Sequence, residues 1–205
     1  MSCLRRLYWY IWRRGYVHWL RSRDNVLLEG SVIVLGKPRI EIRPGARLTL
    51  GGNVTLLSTN VEHHVNMYCP VKLYADRDGA LIRIGSNTRI NGSCIHAQKS
   101  VIVGKNCLIA ANCQIFDGNA HDLSFPDVEN RIHTTGSVRA VVIEDNVWIG
   151  TGSVVLPGVV IGNGSIIGAN SVVVHDIPPM TLAAGNPAIA VKTYSANPLE
   201  PVGPK

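Results

Sequence analysis

Phenylalanine is nearly missing from this 205-residue chain, which has two although 46% of its residues are apolar. A thick core built on large rings is excluded, and the interior must be narrow and filled by Ile, Val and Leu. Acidic residues are absent from positions 1–23, which carry Arg5, Arg6, Arg13, Arg14, Arg21 and Arg23. Beyond that segment fourteen basic and fourteen acidic residues balance. The body is therefore neutral and lacks the basic surface that nucleic acid requires. The five cysteines lack the spacing of a disulfide framework or a metal site. They read as inert buried thiols of a reducing compartment, with Cys94, Cys107 and Cys113 in small inward-facing positions. Apolar runs between the arginine pairs are too short to span a bilayer and no small-residue cleavage site follows, so neither a transmembrane segment nor a signal peptide is expected.

What is present begins with a basic amphipathic segment, residues 1–24. It reads as a helix with Leu4, Leu7, Tyr8, Ile11, Trp12 and Trp19 along one side and Arg6, Arg13, Arg14 and Arg21 along the other, interrupted by Arg5 and weakened by Gly15. Two roles fit: an interfacial helix lying on anionic lipid, or a cap over the open end of the domain that follows.

From Ile143 a large aliphatic residue recurs every sixth position through Ile149, Val155, Ile161, Ile167 and Val173. A second lane follows each by four residues, at Val147, Ser153, Val159, Ser165, Ser171 and Ile177. Neither helix nor ordinary strand has this period. It predicts a β-solenoid of triangular section, with three hexads per coil. A related pattern of aliphatic, any, aliphatic, Gly or Glu, any, Asn appears at 48–53, 82–87, 101–106 and 141–146, and is expected to place two aliphatics inward on either side of a corner. The solenoid is expected over 25–194, interrupted by loops near 57–79 and 116–140. Residues 195–205 read as a disordered tail. Loops carry the chemistry that uniform coils lack, and the second contains two His, four acids and two Arg.

The stretch VVIEDNVWIGTGSVVLPGVVIGNGSIIGANSVVVHDIPPMTLAAGNPA, with the segment IFDGNAHDL upstream, resembles the hexapeptide-repeat acyltransferases. The resemblance covers 141–192 almost without interruption. It implies an all-β left-handed parallel β-helix, acetyl-CoA as co-substrate with no metal, and a homotrimer whose sites lie between subunits. His121 matches the family's catalytic base, which suits acyl transfer because imidazole titrates near working pH. Asp117 and Asn119 fall at its usual polar positions and are expected to support it. Asn91 matches an acceptor-binding position, and His133 is a second acceptor candidate. His63 and His64 are weaker ones, His96 is expected at an inward lane or corner, and no role is assigned to His18. The resemblance implies coenzyme contacts at Trp148, Gly150, Thr151, Gly168, Ala169, Ala183, Gly185, Asn186 and Pro187. Relatives often carry Thr-Lys where this chain has Val174-His175, and a basic residue where it has Ile189. That leaves Lys192 and His175 to meet the coenzyme phosphates.

The implied activity is O-acetylation of a sugar hydroxyl, of a lipid-linked or polysaccharide precursor, at a cytoplasmic site or the inner face of the membrane. Three alternatives stand beside it: N-acetylation of an amino sugar, a metal hydratase resembling γ-carbonic anhydrase, and a catalytically silent scaffold.

Overall fold

The computed structural model describes residues 3–61 and 63–195, with side chains of the first helix from Tyr10 onward. The expected side-chain positions of Leu4, Arg5, Arg6, Leu7 and Tyr8, and the tail from residue 196, lie outside the described residues.

One helix, Cys3–Arg21, precedes a parallel β-helix with three walls. The first wall stacks Val26–Leu28, Arg47–Leu50, Leu81–Ile84, Ser100–Val103, Val141–Ile143 and Val160–Ile161. The second stacks Val32–Gly36, Val54–Ser58, Arg89–Asn91, Leu108–Ile109, Trp148–Ile149 and Ile166–Ile167, and ends in the hairpin Thr181–Gly185 with Ala188–Thr193. The third stacks Arg39–Ile42, Lys72–Ala75, Cys94–Ala97, Gln114–Phe116, Val154–Val155 and Val172–Val173. Ile143 pairs with Ile161, Ile149 with Ile167 and Val155 with Val173, which is three hexads per coil as the period requires. All six are buried, and all six second-lane residues with them.

The repeated pattern differs from expectation in one respect. Leu48 and Leu50 both lie on one strand, facing inward with Thr49 between them, instead of flanking a corner. Two aliphatics one residue apart share a face of a strand, whose side chains alternate. The turn that follows places its Asn at positive φ, 60° at Asn53, 61° at Asn87, 56° at Asn106 and 61° at Asn146. These amides form a ladder between coils, with Asn53 donating to Asn87, Asn87 to Asn106, Asn106 to Asn146 and Asn146 to Asn163 over 3.0–3.2 Å. The glycine two positions earlier answers a close approach, since a Cβ on Gly104 would lie 2.6 Å from the Glu144 carbonyl carbon of the next coil.

Second-lane residues hold the coils together from inside. Ser93 Oγ donates to the Ala110 carbonyl at 2.7 Å, Ser153 to Gly168 at 3.0 Å and Ser165 to Pro178 at 2.7 Å. Cys107 and Cys113 do the same with thiols, to Glu144 and Gly150 at 3.1 and 3.2 Å, and burial pushes both thiols above the usual cysteine range. Cys94 corrects the expectation: it is half-buried on the outer side of its strand, and Ser93 fills the lane. The reason is a corner one residue short. Ile90 and Ile95 are five apart, whereas the stacked Ile109 and Ile115 are six apart.

The first loop is shorter than expected, because Lys72–Ala75 is a strand of the third wall and only residues 59–71 leave the coil. The helix settles over the first coil. Leu20 is wholly buried, and Trp12, Tyr16 and Val17 pack on the core, whereas Ile11 (61% exposed) and Trp19 (46% exposed), expected on the same apolar side as Trp12, face away from it. Burial pushes the Tyr16 phenol up to about 12, against the opposing effect of Arg23.

Truncating Ile143 to Ala leaves a cavity between two coils and is expected to lower stability by about 2–5 kcal/mol in guanidinium unfolding. At neutral pH a thiol-alkylating reagent is expected to modify exposed Cys69 in the native state and to reach Cys107 and Cys113 only on unfolding, read by peptide mass spectrometry.

Candidate active site

Two clefts lie on different walls. The first, of about 450 Å³, opens on the third wall beside the second loop and is lined by Cys94, His96, Gln98, Gln114, Asn119 and His121, among others. The loop, residues 117–140, is a flap with a defined root. Gly118 bridges Val138, the Asn119 amide donates to the Ser137 carbonyl at 3.1 Å, and the Arg139 amide donates to the Asp117 carbonyl at 2.7 Å. Asp117 is wholly buried, and its two carboxylate oxygens accept the Gln98 and Lys99 amides, each at 2.7 Å. It therefore anchors the flap to the corner beneath and makes no hydrogen bond to the His121 imidazole that it was expected to orient. His121 and Asn119 are exposed at the mouth of this cleft. His133 ends the short helical turn Glu129–His133, exposed and outside both clefts.

His96 also departs from expectation. It points outward into the His121 cleft, its ring stacked on Tyr74 at 4.8 Å and Nε2 3.1 Å from Asp76 Oδ2. The alternation about buried Ile95 and Ala97 carries this signal, which counting by six from the shortened corner misses.

The second cleft, of about 370 Å³, runs along the second wall. It joins Asn91 with Trp148, Gly150, Thr151, Gly168 and Ala169, and His63 and His64 of the first loop overhang it beside Arg89. Trp148 is half exposed, Asn91 is buried with Oδ1 unpartnered, and the Thr151 hydroxyl is turned inward, donating to the Ala111 carbonyl at 2.7 Å. Farther along the wall Gly185, Asn186 and Pro187 form the exposed turn of the last hairpin. Ala183 is wholly buried, so only its backbone can meet a ligand. Lys192 Nζ lies 4.8 Å from the Tyr194 ring centre, His175 is exposed, and Ile189 is 67% exposed. Thus the candidate residues divide: His121 and Asn119 line the cleft on one wall, and Asn91, Trp148, Gly150, Thr151, Gly168 and Ala169 line the cleft on another.

Three parallel walls turned by six-residue repeats define the chain as a hexapeptide β-solenoid. Residues 140–175 match the bacterial transferase hexapeptide (six repeats), and residues 81–116 match the hexapeptide repeat of succinyl-transferase. Those two stretches carry the hexapeptide repeat, and the fold is the left-handed parallel β-helix that the resemblance implied. It is 38% identical over 122 residues to a candidate lipopolysaccharide biosynthesis O-acetyl transferase of Escherichia coli, covering 56% of this chain and 62% of that one. It is 39% identical over 115 residues to a candidate acetyltransferase of Schizosaccharomyces pombe, covering 56% of this chain and 54% of the other. The match thus spans little more than half the length of these relatives. Among solved structures, a galactoside acetyltransferase in complex with coenzyme A superposes with a TM-score of 0.51 at 34% identity, covering 59% of this chain and 58% of that one. An N-acyltransferase from Bacillus cereus shares the fold, with a TM-score of 0.63 at 20% identity over 83% of this chain and 85% of the other.

Replacing Asp117 by Ala removes two charge-assisted bonds at the flap root and is expected to cost about 1.5–3 kcal/mol. Hydrogen exchange at the Gln98 and Lys99 amides, accelerated in the variant, checks it.

Proposed function

We propose that the chain is an acetyl-CoA-dependent O-acetyltransferase acting on a sugar hydroxyl, with direct transfer in a ternary complex. The observation that carries this reading is the exposed imidazole of His121, lining a cleft on a flap with a pinned root and, among the described residues, engaged by no hydrogen bond. His121 takes the proton of the acceptor hydroxyl as that oxygen attacks the thioester carbonyl. The tetrahedral intermediate expels the coenzyme A thiolate, which recovers the proton from the imidazolium. The coenzyme strip lies on a different wall of the same chain, so a second copy brings the strip to the flap. This supports three sites shared around a homotrimer, with His121 of one chain facing the strip of the next.

The residues present fit the coenzyme unevenly. Small side chains at Gly150, Gly168 and Ala169 leave a shallow track beside Trp148 for the pantetheine arm. The nucleotide end meets Lys192 and His175, a thin pair for several phosphates. Among the described residues of one chain no group of three or more His, Cys, Asp or Glu side chains is placed to hold a metal ion.

The helix caps the first coil, and the cap and interfacial roles are compatible. Its outer side presents Tyr10, Ile11 and Trp19 with Arg13, Arg14 and Arg21, which suits an anionic membrane surface. No helix among the described residues is long and apolar enough to cross a membrane. We place the enzyme at the cytoplasmic membrane face, with a glycolipid or polysaccharide precursor as acceptor.

His121→Ala is expected to lower kcat by about 10²–10⁴ with little change in KM for acetyl-CoA, read by thiol release with a panel of sugars. Full activity in that variant would sink the base assignment. The arm is checked by flotation: vesicles with anionic lipid are expected to carry the intact chain, and the variant Ile11→Ser, Trp19→Ser to stay behind.

A further inference from the structure

The coenzyme strip is continued, toward the first coils, by a group of cation-forming side chains that the transfer chemistry does not use. Successive strands of the second wall present Arg89, Leu108, Trp148 and Ile166 in register. The implied coenzyme contacts begin at Trp148 and run away from Arg89. Strands in a sheet lie about 4.8 Å apart, so Arg89 stands roughly 10 Å beyond the start of the strip, the width of a sugar ring and its substituent. Over it hang His63 and His64, their rings stacked at 4.7 Å, in the same cleft. His63 Nδ1 lies 2.8 Å from the Val65 carbonyl, which ties the ring to its own loop.

Three features separate this group from an ordinary solvated face. Among the described residues the cleft lining contains Arg89, His63 and His64 and no carboxylate. Among the described residues Arg89 is engaged in no ion pair or hydrogen bond, whereas Arg83 on the first wall lies 3.9 Å from Glu29. Two residues along the strand from Arg89 and lining the same cleft is Asn91, 3% exposed, with its carbonyl oxygen unpartnered. A buried amide oxygen without a donor costs free energy unless a ligand hydroxyl supplies one. The short corner at Gly92 makes the recess, and the first loop closes over it, since a Cβ on Gly92 would meet the Met67 side chain at 2.7 Å.

We propose that this end of the cleft selects an anionic acceptor: a saccharide bearing a phosphate ester or a carboxylate, its anion held by Arg89 with His63 and His64, and a ring hydroxyl donating to Asn91 Oδ1. The inference rests on the acetyltransferase reading for the direction in which the coenzyme lies. The planar guanidinium suits either oxyanion, and the fork makes two parallel bonds to each.

The test uses the full chain saturated with coenzyme A, so that its phosphates do not compete, and titrates it calorimetrically with glucose 1-phosphate, glucuronate and methyl glucoside. At least one of the two anions is expected to bind about tenfold tighter than methyl glucoside, an advantage that shrinks as salt is raised. Glucose 1-phosphate alone would identify a phosphate ester, and glucuronate alone a carboxylate. Arg89→Gln and the double variant His63→Gln, His64→Gln are expected to erase the advantage, and Arg83→Gln to keep it. Equal binding of the neutral sugar, binding of neither anion, or an undiminished advantage in Arg89→Gln would overturn the proposal. So would an Arg89→Gln enzyme whose KM rises for acetyl-CoA and not for the acceptor, since Arg89 would then serve the coenzyme. Should anion binding hold while no acceptor yields free thiol, the transferase reading fails and the anion site stands.

Discussion

Everything in this molecule depends on stacking coil on coil with no gap, and the corner lane enforces it. A coil in the interior of a narrow solenoid has carbonyls that its own short strands cannot satisfy, and an unpaired buried carbonyl is expensive. Ser93, Ser153 and Ser165 answer by donating to a carbonyl one coil farther on, and Cys107 and Cys113 answer with sulfur. On the outside the asparagine ladder makes the same connection between side chains. Aliphatic stacking supplies most of the favourable free energy. The polar links fix the register, and the register decides which residues reach the walls.

Much of this was legible in the sequence because a solenoid is nearly one-dimensional: the six-residue period of Ile143 to Val173 gives strand, corner and coil at once. Where the period breaks, legibility fails for a definable reason. The corner between Ile90 and Ile95 is one residue short, so counting by six places Cys94 inside and His96 in the lane, whereas strand alternation puts both outside. The strand Lys72–Ala75 was hidden inside an apparent loop because a long excursion precedes it. Asp117 shows the limit of motif reasoning, which identifies a position beside His121 and not what the carboxylate touches. Its partners, the Gln98 and Lys99 amides, are backbone groups that no sequence pattern announces.

The division of the site between two walls has a mechanistic meaning. A smooth wall can hold an extended ligand but offers no base, and a flap can offer a base but no groove. In the proposed transferase, keeping them apart within one chain makes the working site a property of association, with the pinned root of the flap fixing where the imidazole can be delivered. On the same proposal the cation group near Arg89 lies at the end of the wall that the coenzyme leaves free, so that selection of the acceptor and binding of the donor occupy separate coils.

The two ends of the solenoid are closed by different means. Leu20 and its neighbours seal the first coil, and past the last coil the strand Ala188–Thr193 runs antiparallel to the one before it. A stack of parallel strands carries no internal signal to stop, and its bare ends would template another molecule. Reversing direction in the final strand breaks the pattern that a newcomer would have to copy. The stack is thus kept finite, with its tips closed and its long sides left open to solvent.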